Sequence, residues 1–158
     1  MNNMRWMLAL VPLALVACGG ASETSEIYQR VMQGKAPIGE VLSVSDPPVR
    51  LWFARTTDED GDVRLCGPAS CGHDLSDRPE PAWAEAREDD LYYGAARSGV
   101  AGVRAVTAEG IRVDGTVHRP EGAPLAIWTV TVHGATVRAF EFVDGSGQPV
   151  ATASVSGM

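Results

Sequence analysis

The sequence predicts an all-β domain with the layout of a small antiparallel β-sandwich. From residue 91 onward, runs of Val, Ile, Thr and aromatic residues recur about every ten residues, with Gly-bearing turns between them. Upstream, the alternating run VRLWFART is followed by the turn TDEDGD and a second run, VRLC. Short strands at this spacing are typical of a sandwich or barrel, whereas a βαβ layout would place longer helical patterns between the strands.

The first half of the domain opens with EVLSVS and then a hairpin. EVLSVS, at 40–45, alternates apolar and polar residues as a half-buried strand does. The next run has two faces, with Val49, Leu51 and Phe53 on one and Arg50, Trp52 and Ala54 on the other. The Asp-Gly turn then returns the chain as VRLC. A hairpin is therefore expected over 49–66.

The segment 67–90, GPASCGHDLSDRPEPAWAEAREDD, is predicted to be a long acidic loop with one helical turn at 81–87. Loops of this length are usually functional or mobile. The strands that follow are expected in the six runs LYYG, VAGVRAVTA, IRVDGTVH, PLAIWTVTV, TVRAFEFV and QPVATASV. In IWTVTV, alternation places Trp128 and Val130 on a buried side and Thr129 and Thr131 on a wet side. We expect Trp52 and Trp128 to be core or sheet-face residues.

The N-terminus has the pattern of a bacterial lipoprotein signal. Arg5 precedes an uncharged stretch, 6–16, which is the length of a signal-peptide core and too short to span a bilayer as a helix. The residues LVAC, ending at Cys18, match a lipobox and resemble the bacterial lipoprotein family. That resemblance implies cleavage before Cys18, a diacylglyceryl group on its sulfur and a fatty acid on the new amine. Two acyl chains hold a protein stably on a membrane, at about 0.8 kcal/mol per buried CH₂.

These patterns divide the chain into three parts. Residues 1–17 are the predicted signal peptide, 18–36 are the lipidated N-terminus and linker, and 37–155 are the β-sandwich domain. Within the linker, Ile27 and Val31 lie at helical spacing, with Ser22 as a cap and Gly34 as a stop. The linker is therefore expected to be a short helix or a disordered tether.

The strand and turn patterns also resemble a known group of domains. The sequences VAGVRAVTAEG and AIWTVTVHGATVRAFEFVDGSGQPVA resemble the C-terminal part of small immunoglobulin-like β-sandwich domains in actinobacterial secreted and membrane-anchored proteins. WFARTTDEDGDVRLCG resembles their hairpin, so the similarity covers about two thirds of the chain. The resemblance implies an immunoglobulin-like sandwich and carries over no catalytic residue. The chain departs from the group at Cys66 and Cys71 and in the acidic loop that follows them.

Charge argues against a nucleic-acid partner. The chain has 13 Lys and Arg residues against 20 Asp and Glu residues, a net charge of −7. Eleven of the acids lie in 58–90, with three Arg residues among them. Binding to phosphates needs clustered Lys and Arg, which this distribution does not offer.

The remaining cysteines, Cys66 and Cys71 in CGPASC, are expected to form a disulfide, because an even pair outside the cytoplasm is most simply a bridge. The alternative is a zinc site in which Cys66, Cys71 and His73 supply ligands together with Asp74. Zinc signatures usually consist of paired CxxC units, so this spacing favours the disulfide.

Two other chemistries are weaker. Asp58, Asp60 and Asp62 alternate like calcium ligands, but no Glu closes the loop as in an EF-hand, and a hairpin turn explains them. The chain has three histidines, His73, His118 and His133, and none lies in a nucleophile motif. We therefore predict no catalytic residue, no resident metal and no cofactor.

The predicted function is a non-enzymatic binding or interaction role in the cell envelope. The protein is expected on the extracytoplasmic face of the cell membrane, held by the lipid on Cys18, with an envelope protein as its partner. The alternative is a ligand- or metal-binding lipoprotein that uses the loop 66–90, and an envelope enzyme comes third. Fold does not choose among these functions, because sandwiches host many of them.

Overall fold

The structure, a computed structural model of the chain, describes residues 35–56 and 61–155. Within these ranges the protein is all-β, with no helix. The signal peptide, Cys18 and the linker up to residue 34 lie outside the described residues. The strands are β1 (Lys35–Val44), β2 (Val49–Thr56), β3 (Val63–Cys66), β4 (Ala82–Glu88), β5 (Leu91–Ala96), β6 (Gly102–Thr107), β7 (Arg112–Asp114), β8 (Thr116–His118), β9 (Ala126–Thr131), β10 (Val137–Val143) and β11 (Pro149–Ser154).

The strands form three antiparallel sheets, which confirms the predicted all-β fold class. A central sheet has the order β4-β5-β9-β8, and a second sheet has the order β11-β10-β6-β7. Their facing sides form the larger core, around Trp128, Phe140 and Phe142. The ring centroids of Trp128 and Phe140 are 4.7 Å apart, and the Trp128 indole N–H donates to the carbonyl of Trp83 at 2.8 Å. These two sheets form the sandwich that the strand spacing predicts.

The third sheet, with the order β1-β2-β3, covers the other side of the central sheet. Leu51 and Phe53 of β2 join Trp83 of β4 and Ile127 of β9 in a second core. Of the two residues expected on the wet side of β9, Thr131 is exposed as predicted, whereas Thr129 is only 8% exposed. Alternation along one strand identifies two faces, but it does not reveal that another sheet buries the second face.

The structure also corrects the prediction for 67–90. The expected helical turn at 81–87 is wrong, because β4 occupies this stretch and pairs with β5. The segment is not one long loop, since Leu75 and Trp83 are buried in the second core. Ala, Glu and Arg favour helices locally, but packing of Trp83 against the outer sheet favours the extended conformation here.

Other boundaries differ less. The hairpin of β2 and β3 lies where the sequence predicts it, and the expected two faces of β2 are observed. β1 begins at Lys35, within the predicted linker. The run IRVDGTVH is divided at Gly115, because β7 pairs with β6 in the second sheet whereas β8 pairs with β9 in the central sheet.

Candidate functional site

The disulfide predicted from CGPASC is present. Cys66 ends β3 and is bonded to Cys71, with 3.9 Å between their Cα atoms. Inside the ring, the backbone N–H of Gly67 donates to the carbonyl of Ser70 at 2.9 Å. The bond uses both sulfurs, so the zinc alternative loses two of its four ligands.

After the disulfide, residues 71–75 run along the outer edge of β3, and we call them the edge segment. The backbone N–H of Gly72 donates to the carbonyl of Leu65 at 2.8 Å, and that of Leu75 donates to the carbonyl of Val63 at 2.8 Å. Leu75 itself is 2% exposed. The edge segment thus covers a strand edge that would otherwise present unpaired backbone groups to solvent.

Glu85 connects the edge segment to the central sheet. In the pairing of β4 with β5, Ala84 lies opposite Gly94 and Ala86 lies opposite Tyr93, so Glu85 is the extra residue of a β-bulge. Bulges redirect a side chain, and here the carboxyl points inward. The Glu85 side chain is 1% exposed, and its Oε2 accepts a hydrogen bond from the backbone N–H of His73 at 3.2 Å.

The Glu85 carboxyl is poorly solvated and closely covered. Its Oε1 is buried and has no hydrogen-bond partner in the described part of the chain. Gly72 lies directly against Oε2, and a Cβ at this position would overlap the carboxylate oxygen. Burial raises the pKa of Glu85 above its ordinary value, although His73 and Arg78 act in the opposite direction.

Tyr93 lies beside the same carboxyl. It is 3% exposed, and Gly67 of the disulfide ring packs against its hydroxyl. Burial raises the pKa of Tyr93 to about 12, and the charges of Glu88 and Glu85 act in the same direction. Tyr93 is therefore protonated at neutral pH. This arrangement favours the protonated form of the Glu85 carboxyl. Hydrolytic catalysis would need a different arrangement, in which a general base lies next to a nucleophile.

A second feature is a cleft of about 200 Å³ between two hairpin turns. One turn joins β1 to β2 and the other joins β4 to β5. Four carboxyl-bearing residues line this acidic cleft, namely Asp46, Glu88, Asp89 and Asp90. Asp90 has two basic residues beside it, since Nδ1 of His133 lies 2.7 Å from its carboxylate and the Arg87 guanidinium lies 3.8 Å away.

The other two histidines have separate surroundings. His118 is half-buried, its Nε2 lies 2.9 Å from the Thr129 hydroxyl, and burial lowers its pKa. His73 is exposed at its ring, whose Nδ1 lies 3.7 Å from the Glu85 carboxylate. The structure brings His73 next to Glu85, and it brings neither His118 nor His133 to that site.

The metal alternatives find little support within 35–56 and 61–155. No group of three or more His, Cys, Asp or Glu side chains in these ranges is arranged to hold a metal ion. Asp62 pairs with Arg64 at 2.9 Å, while Asp58 and Asp60 lie outside the described residues. The same ranges contain no helix long and apolar enough to cross a membrane.

Loss of the disulfide should cost a moderate amount of stability. A ring this small contributes about 2 kcal/mol in the loop-entropy model, so Cys66→Ala with Cys71→Ala should lower the free energy of unfolding by about that much. Urea denaturation of the double variant and the parent measures the difference.

Thiol counting on the denatured parent should find these two thiols only after reduction, and two free thiols beforehand would contradict the bridge.

The relation of the chain to known proteins rests on the lipobox and on the strand and turn patterns. Both are short patterns of common residue types, so the lipoprotein and actinobacterial resemblances stay predictions. The chain matches no family model, no curated protein and no solved structure.

Proposed function

We propose that the chain is a lipoprotein anchored through Cys18 at the extracytoplasmic face of the cell membrane, where its β-domain binds an envelope protein without catalysing a reaction. The Cys66–Cys71 disulfide supports this location, because disulfides persist in oxidising compartments and are rare in the cytosol. The lipobox LVAC supports the anchor. The two signals come from separate parts of the chain.

The observation that carries the binding role is the acidic cleft. Its four acidic residues come from two turns that are distant in sequence, and His133 and Arg87 both lie against one of them, Asp90. A surface with an excess of acidic groups steers positively charged partners and rejects negative ones. The partner is therefore an envelope protein with a basic surface. A metal- or ligand-binding role is less well supported, because the disulfide removes the thiolate ligands of the segment 66–90.

A photocrosslinking experiment in membranes tests this role. A photoreactive amino acid at Thr131, which is exposed and lines the cleft, should form a discrete protein adduct in the lipidated full chain. The adduct should be lost in a variant that neutralises three cleft acids, because these supply the attraction. That variant carries Asp46→Asn, Glu88→Gln and Asp89→Asn.

The matched control removes the same charge from exposed acids elsewhere, with Asp77→Asn, Glu109→Gln and Glu121→Gln. It should retain the adduct. Equal crosslinking in both triple variants, or no adduct at Thr131 in the parent, would contradict a basic partner at this cleft.

A further inference from the structure

A hydrogen bond to the Glu85 carboxyl connects the outer sheet β1-β2-β3 to the edge of the central sheet. On one side, the edge segment is bonded to β3 by the N–H groups of Gly72 and Leu75. On the other side, the N–H of His73 donates to Glu85 in the bulge of β4. The carboxyl therefore bridges two layers that have no strand pairing with each other among the described strands.

The ionised form of this carboxyl is poorly accommodated in the closed arrangement. Oε2 receives a single backbone hydrogen bond at 3.2 Å, and Oε1 has no partner in the described ranges. A buried carboxylate normally needs several donors or a close cation, and without them its desolvation is costly. Gly72 lies directly against the carboxyl, and the Glu85 side chain is 1% exposed, so movement of the edge segment would open the carboxyl to water.

The titratable and charged groups around Glu85 do not supply the missing stabilisation. The His73 ring, in the edge segment, lies 3.7 Å from the carboxylate. The ring is exposed, so solvent and salt screen its interaction with Glu85. Arg78, in the stretch before β4, lowers the pKa of Glu85, but burial outweighs this effect. From β5, Tyr93 is neutral at physiological pH, and Glu88 on the same strand as Glu85 is a like charge.

We propose that Glu85 is a proton-operated latch: its protonated carboxyl holds the edge segment against the central sheet, and loss of the proton releases residues 71–74 from β4. The release breaks the hydrogen bond between His73 and Glu85, whereas Leu75 stays in the second core and keeps its bond to β3. This device is independent of what the acidic cleft binds.

The direction of the pH effect follows from linkage. The pKa of Glu85 is raised in the closed form, whereas in the open, hydrated form it returns towards its ordinary value of 4.5. The closed form therefore binds the proton more tightly, and opening releases it. Between the two pKa values the opening equilibrium constant should rise by up to about tenfold for each pH unit, and then level off. The segment is most firmly closed below pH 4.5.

Amide hydrogen exchange on the full domain tests the latch. The protection factor of the His73 amide, corrected for intrinsic exchange, should fall as pH rises, while those of Leu75, bonded to β3, and Val130 in β9 should not follow it. In Glu85→Gln, which is neutral at every pH, the fall should disappear. Glu109→Gln, which neutralises an exposed acid outside the latch, is the matched control and should keep the parent's pH dependence.

The carboxyl resonance of Glu85 in the parent gives a readout that needs no variant. Its titration midpoint, measured by carbon-13 NMR, should lie above the ordinary value and mark the upper end of the pH range in which protection falls. The proposal is overturned if Glu85 titrates while the protection of the His73 amide stays constant, or if Glu85→Gln retains the parent's pH dependence.

Discussion

Cys18→Ser is expected to abolish labelling by a fatty-acid analogue and to remove the protein from the membrane fraction. The hydroxyl of serine is a far weaker nucleophile than a thiolate, so it does not take the lipid. Without acyl chains the net charge of −7 works against membrane binding, because anionic headgroups repel a negatively charged protein. The measurement is metabolic labelling followed by cell fractionation.

The matched control for this variant is the pair Cys66→Ser and Cys71→Ser. These substitutions remove the other two cysteines of the chain and leave LVAC intact. Labelling and membrane attachment should persist, even if the domain is less stable. A Cys18→Ser protein that is still labelled and processed as before would show that the lipobox interpretation is wrong.

Trp128→Ala is expected to lower the free energy of unfolding by about 3–5 kcal/mol, which is the usual cost of removing a large buried aromatic side chain. Trp128 is 0% exposed and packs on Phe140 and Phe142 in the larger core. Its indole also donates to the carbonyl of Trp83, and that buried acceptor would lose its partner. Urea denaturation followed by circular dichroism measures the loss.

Two further variants separate the contributions at this position. Trp128→Phe keeps an aromatic ring but removes the indole N–H, so it should cost less, about 1–3 kcal/mol. Ile111→Ala removes a side chain that is 59% exposed, and its effect should stay within about 0.5 kcal/mol. A Trp128→Ala domain as stable as Ile111→Ala would contradict the placement of Trp128 at the centre of the core.

The sequence predicts the sandwich well where apolar and polar residues alternate along a strand and Gly-bearing turns separate the strands. Leu51 and Phe53 share a face as expected, and the hairpin ends at Cys66 as predicted. The third layer is not visible in the sequence, because burial of the second face of the central sheet depends on which distant strands pack there. Thr129 illustrates this, since alternation predicts that it faces solvent and it is only 8% exposed.

β4 was harder to predict for a related reason. AWAEARE contains good helix formers, and its strand conformation is set by pairing with β5 and by Trp83 in the second core. Intrinsic propensity is a weak guide when tertiary contacts of this size oppose it.

The candidate sites also include features that the local sequence predicts and features that depend on tertiary packing. The disulfide is predictable, because two nearby cysteines in a chain that is expected outside the cytoplasm most simply pair with each other. Glu85 was one acid among eleven in 58–90, and its burial depends on a bulge that no local pattern indicates. Asp46 lies far in sequence from Asp89, so only the packing of two turns brings them to one cleft.

The anchor at Cys18 is the central claim, and the mass of the mature N-terminal peptide tests it most directly. Mass spectrometry of protein purified from its own membranes should find a peptide that begins at Cys18 and carries a diacylglyceryl group, with residues 1–17 absent. An unmodified Cys18 peptide, or a mature chain that begins at another residue, would contradict the account.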